Sequence, residues 1–90
     1  MGNKNALERY LMLDYCLSTG QFTFKELVAC VNNQLRSNGL DVVSERTVRG
    51  DIYNIETIFH KYINRVRRLG GNKIYYKYPY ETKPIFTVNE

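Results

Sequence analysis

At 90 residues the chain is one domain, near the small end of what folds alone, and its 43% hydrophobic content is that of an ordinary globular protein. No apolar run nears the ~20 residues of a bilayer span. The opening Met1-Gly2-Asn3-Lys4-Asn5 has no apolar stretch behind it, so neither a membrane protein nor a secreted one is expected, and the cytoplasm is the expected compartment. Net charge is +4. Cys16 and Cys30 are too few for a disulfide framework and read as reduced, structural residues. With a single histidine beside them, no metal or cofactor site is expected.

The first predicted helix covers residues 4–17, capped by Asn3 or Asn5. Its core stripe is Ala6, Tyr10, Leu13 and Leu17, and Ser18-Thr19-Gly20 ends it. A short connector, Gly20 to Phe24, leads to a second helix with a clear start. Thr23 and Glu26 form a capping box, in which each side chain satisfies a free backbone N–H of the first turn. Phe24, Leu27, Val28, Val31 and Leu35 make its apolar stripe, and Asn38-Gly39 stops it. Ser44 is the cap of a third helix, which runs to about His60 with Val48, Ile52, Ile55 and Phe59 buried.

Residues 63–69 and 73–78 are rich in branched and aromatic side chains, with Gly70-Gly71-Asn72 between them, and read as a β-hairpin. A three-residue loop turns Val66, Ile74, Tyr76 and Tyr78 inward together. Arg65, Arg67, Lys73, Tyr75 and Lys77 then face outward. Three helices followed by a hairpin predict an α+β winged helix-turn-helix over residues 1–80. Residues 81–90 would be a final strand of its sheet or the start of a linker.

The charge is unevenly spread. Residues 1–60 hold six Lys/Arg against seven Asp/Glu, whereas residues 61–78 hold six Lys/Arg and no acid. Such a block beside a helix is the footprint of a phosphate-binding surface. On the third helix, Arg46 and Arg49 lie side by side in the first turns, opposite the buried stripe, with Gly50, Tyr53, Thr57 and His60 on the same outer side. Arginine reads guanine through O6 and N7, and the start of a recognition helix is the part that enters the major groove. The bland alternative is that Arg46 and Arg49 merely solvate the helix, or pair with Glu45, Asp51 or Glu56. Gly50 costs the helix about 1 kcal/mol relative to Ala, either for a close approach of DNA or as a neutral accident.

The expected partner is therefore double-stranded DNA. Ser44, Arg46, Thr47, Arg49 and Tyr53 would approach it from the helix, and Arg65, Arg67, Arg68, Lys73, Tyr75 and Lys77 from the hairpin. A homodimer is one assembly open to such a reader. The competing use is contact with protein or RNA. No catalytic constellation accompanies these residues: Gly70-Gly71 does not precede a helix, and His60 lacks a nucleophile or carboxylate in sequence.

The run Val43-Ser44-Glu45-Arg46-Thr47-Val48-Arg49-Gly50-Asp51-Ile52 resembles the recognition helix of bacterial winged-helix regulators, whose pattern is Val-Ser-x-Arg-Thr-Ile/Val-x-Arg-Asp-Ile. It departs at Gly50, where arginine is common. Lys4-Asn5-Ala6-Leu7, Arg9-Tyr10, Leu13-Asp14 and Cys16-Leu17-Ser18 resemble the opening helix of WYL-domain regulators of the Bacteroidetes type. Tyr75-Tyr76-Lys77-Tyr78 and Pro84-Ile85-Phe86 fit the same group. That resemblance implies a transcription regulator about three times this length. It would bind an effector ligand only through a C-terminal WYL domain outside these 90 residues.

Overall fold

In the computed structural model, which describes residues 5–67, 71–80 and 82–85, six elements follow in order. They are α1 (Ala6–Thr19), β1 (Phe22–Thr23), α2 (Phe24–Ser37), α3 (Glu45–Thr57), β2 (Asn64–Arg67) and β3 (Ile74–Lys77). The fold is α+β, with three helices and one antiparallel sheet in the strand order β1-β3-β2.

The helix caps explain where the helices lie. Thr23 accepts from the Glu26 N–H at 3.2 Å while Glu26 accepts from the Thr23 N–H at 2.9 Å, so the expected capping box fixes the start of α2. At its other end Gly39 has φ +74°, the Gly39 N–H donates to the Arg36 carbonyl and the Leu40 N–H to that of Leu35. This is the Schellman pattern, with glycine in the left-handed position that a side chain strains. Ser44 caps α3 by accepting from the Thr47 N–H at 3.3 Å. Asn5 stands at the N-cap of α1 without a side-chain cap bond.

Two ends differ from expectation. Helix α1 runs through Ser18 and Thr19, whose hydroxyls bond back to the Tyr15 carbonyl at 3.0 and 2.8 Å and satisfy the last turn. Helix α3 stops at Thr57, not near His60. His60 takes the left-handed φ of 57°, and the Lys61 N–H closes on the Ile55 carbonyl at 3.2 Å. Phe59, freed from the helix, folds back edge-on against Tyr10, with ring centroids 5.5 Å apart.

The Gly20–Phe24 connector contains a strand that periodicity could not show. Phe22 and Thr23 pair with Tyr76 and Tyr75, so β3 is the central strand. The register of β2 on β3 is also shifted from expectation. The pairs are Asn64–Lys77, Arg65–Tyr76, Val66–Tyr75 and Arg67–Ile74, whose residue numbers sum to an odd value. Directly opposed residues share a face, so Arg65 and Arg67 join the Tyr76 face while Val66 joins Tyr75 on the other. Beside β3, Tyr78 is buried and Lys73 exposed as expected, but within the strand Ile74, expected inward, is 40% exposed and Lys77 is half-buried. Arg65 and Arg67 remain exposed as expected, although the register places them on the Tyr76 face.

The core is drawn from every helix. Leu13 and Leu17 of α1, Leu27, Val31 and Leu35 of α2, and Val48 and Ile55 of α3 meet with Ile63 and Tyr78. Three charged residues are buried with them: Arg9, Asp14 and Asp51. Arg9 donates twice to Asp51, at 2.6 and 3.1 Å, tying α1 to α3. Asp14 accepts from the Tyr78 hydroxyl at 2.6 Å and from the Ile85 N–H at 2.9 Å. Thus Ile85 is fastened against α1. Of residues 81–90, read as a strand or linker, residue 81 and residues 86–90 lie outside the described residues. Among the described residues no helix is long and apolar enough to cross a membrane.

Candidate functional site

Helix α3 is presented by contacts on three sides. Behind it, the Arg9–Asp51 pair fixes its roll against α1. Before it, the Asn32 amide of α2 grips the loop: Nδ2 donates to the Val43 carbonyl at 3.0 Å, and Oδ1 accepts from the Val43 N–H at 2.9 Å. That grip sets Ser44 at the cap. Halfway along, Asn54 donates to the Tyr10 hydroxyl at 3.0 Å. With Val48, Asp51, Ile52 and Ile55 turned inward, Arg46, Arg49, Gly50, Tyr53 and Thr57 are all exposed, Tyr53 by 65%.

The acids offered as bland partners for the two arginines are engaged elsewhere. Asp51 holds Arg9, Glu56 holds Arg65 at 2.8 and 3.1 Å, and Glu45 meets Lys25 at 3.4 Å. Among the described residues Arg46 and Arg49 therefore enter no ion pair. Arg46 stands in the first turn of α3. Arg49 lies over the Phe24 ring, 4.1 Å from its centroid, a cation–π contact that draws it toward the sheet. Thr47 is half-buried, and its hydroxyl lies 3.3 Å from that of Ser44, so these two site candidates are also joined in the cap.

A cleft of about 590 Å³ separates the starts of α2 and α3 from the hairpin. Phe24, Lys25, Arg49, Asn72, Lys73 and Ile74 are among its walls. The hairpin cation Lys73 and the helix cation Arg49 thus border one hollow. Arg67 is exposed beside Ile74 on the same sheet face.

The remaining hairpin candidates are dispersed. Arg65, expected to face outward, lies instead on the Tyr76 side, because the odd register turns β2 over. Its guanidinium pairs with Glu56 and sits 5.3 Å from the Tyr76 ring centroid. The hydrogen bond from Arg65 to Glu56 holds the guanidinium pKa above its ordinary value. Tyr75 is half-buried opposite Val66 and Thr23. Lys77 lines a separate hollow with residues 17–21 at the end of α1. Arg68 and Gly70 lie outside the described residues.

Reading from sequence missed Phe24 and Lys25 as neighbours of the site, and Asn32 as the residue that positions it. Phe24 was placed in the core stripe, and its ring is indeed partly buried against the core. That its other side carries Arg49 depends on the angle between α2 and α3, which no single-helix pattern encodes.

The family model described as Borrelia ORF-A matches residues 4–88, and the chain belongs to that family. No curated protein and no solved structure matches it. This corrects the resemblance to WYL-domain regulators, for which no family match is found. The implied threefold-longer regulator with an effector-binding domain loses its basis as well. The shared residues have local structural duties: Ser44 and Thr47 make a cap, Val48 and Ile52 fill the core, and Asp51 holds Arg9. Any capped, half-buried helix in this position has use for them, so they do not single out one family.

Proposed function

We propose that this Borrelia ORF-A chain is a winged-helix module that binds double-stranded DNA, with α3 in the major groove and the β2–β3 hairpin as the wing. One observation carries the reading. Glu45, Asp51 and Glu56 each meet another cation, and among the described residues Arg46 and Arg49 stand exposed at the start of one helix in no ion pair. The element order, with a short strand between the first two helices and the sheet order β1-β3-β2, supports the winged-helix layout. So does the cleft shared by Arg49 and Lys73, which gives helix and wing a common basic border.

In this reading Arg46 contacts a base edge, since it is nearest the helix start, exposed, and in no ion pair among the described residues. Arg49, leaning on Phe24, grips a phosphate between helix and wing. Arg67 and Lys73 supply further phosphate contacts, which position the protein without reading sequence. Arg65 braces the wing against α3 through Glu56. The role is binding, not catalysis, and regulation of transcription is the use such binding serves.

Selection of bound duplexes from a random library, followed by salt titration on the winner, tests the proposal. A recovered consensus and an affinity that falls steeply with salt are expected. Replacing Arg46 with Ala should cost about 1–3 kcal/mol on the selected site and much less on scrambled DNA. Recovery of no consensus, with binding indifferent to salt, refutes it.

A further inference from the structure

Gly50 lies in the middle of α3, where glycine weakens a helix relative to alanine. Nothing among the described residues requires it. Its φ is not in the left-handed region, and a Cβ built on it would meet no atom within 4 Å. The residue is exposed, and at helical spacing it falls on the line Arg46–Gly50–Tyr53–Thr57. Arg46 rises one turn before it, and Tyr53, 65% exposed, one turn after. Arg49, the other long side chain nearby, is drawn aside onto Phe24. The outer face of α3 therefore has a notch floored by bare backbone, with a cation at one end and a phenol at the other.

We infer that the Gly50 notch is the point of closest approach between α3 and the DNA, where the edges of the base pairs rest on the helix backbone. This rests on the reading of the chain as a DNA binder and adds a specificity determinant to it. A duplex has a repeating contour of base edges and thymine methyl groups in the major groove. A helix lacking one side chain at its centre seats more deeply there and brings Arg46 and Tyr53 to bear on either side. A methyl group at position 50 would hold the helix off by about its own radius, at the one place where the contact is tightest.

The test separates fold from recognition within one substitution. Gly50→Ala removes the helix penalty, so Tm should rise by about 4–8 °C. Affinity for the duplex selected by the wild-type protein should fall by about tenfold or more, as when a methyl is forced into a close-packed contact. Affinity for scrambled duplex, which rests on phosphate contacts, should stay within about twofold. A stabilised G50A that binds the selected duplex as tightly as wild type overturns the inference and leaves the DNA reading standing. A G50A protein that is less stable than wild type overturns it too, because the glycine would then serve the fold. If the wild-type chain binds no duplex at all, the DNA reading itself fails and this inference falls with it.

Discussion

The Arg9–Asp51 pair joins α1 to α3, and removing one partner should cost far more than removing both. Both side chains are 4% exposed, and two short bonds join them. Asp51, its main hydrogen-bond partner, raises the Arg9 pKa against the opposing effect of burial, so the guanidinium stays charged. Arg9→Met leaves the Asp51 carboxylate in the core without its cation, and Asp51→Leu leaves the guanidinium without its anion. Each should cost about 3–5 kcal/mol, the penalty of an uncompensated buried charge. Against a total stability of about 5–15 kcal/mol, either substitution would bring a domain of this size close to unfolding. The double replacement R9M/D51L removes both charges and both desolvation penalties, and should recover stability to within about 1 kcal/mol of wild type or exceed it. Urea unfolding of the four proteins, followed by circular dichroism, measures the cycle. A single variant that loses less than about 1 kcal/mol would show the pair to be hydrated and the argument wrong. A double variant as unstable as the sum of the singles would show that the side chains act through packing, not charge.

Further expectations concern the core, the wing and alkaline pH. Ile52→Ala, at a position 4% exposed, should destabilise by about 2–5 kcal/mol in thermal or urea unfolding. Replacing Arg67 and Lys73 together should reduce the magnitude of the log–log salt slope for duplex binding by about 1.8, whereas Arg65→Ala should lower stability more than it changes the slope. Burial, then the Asp14 hydrogen bond, raises the Tyr78 pKa, and burial, then Cys30, pushes the Cys16 thiol up to about 12. Both groups are held neutral in the fold and ionise sooner in the unfolded chain. Stability should therefore be level up to about pH 8 and decline as pH rises through the unfolded-state thiol and phenol ranges. Urea midpoints between pH 7 and 11 would show this, and Tyr78→Phe should make the decline shallower.

The caps and apolar stripes were legible because they are local. Thr23 with Glu26, Asn38 with Gly39, and Ser44 with Val48 and Ile52 each state a helix boundary or face within one or two turns of chain. What escaped depended on partners far away in sequence. The burial of Arg9, Asp14 and Asp51 has no local signal, since a buried charge is recognisable only through a partner, and those partners lie 42 residues or more away. Strand β1 has two residues, too few for any alternation to show. The hairpin was one residue out of register because parity was argued from Val66 facing the core. The register instead sets Arg65 on the Tyr76 face, its guanidinium 5.3 Å from the ring centroid and bonded to Glu56. The outer face of α3 was foreseen from its wheel, but the diversion of Arg49 onto Phe24 was not.

The two bonds to Asp14 also bear on how such a chain is completed during its synthesis. They join positions 64 and 71 residues apart, with the acceptor in the first helix and the donors beyond the last strand. A chain made from its N-terminus has α1 in hand before either donor exists. Until Tyr78 and then Ile85 emerge, Asp14 lacks both of these donors, although the helix that carries it is already complete. The contacts that fasten the far end of the sheet to α1 are thus made late in synthesis, well after the helix they fasten.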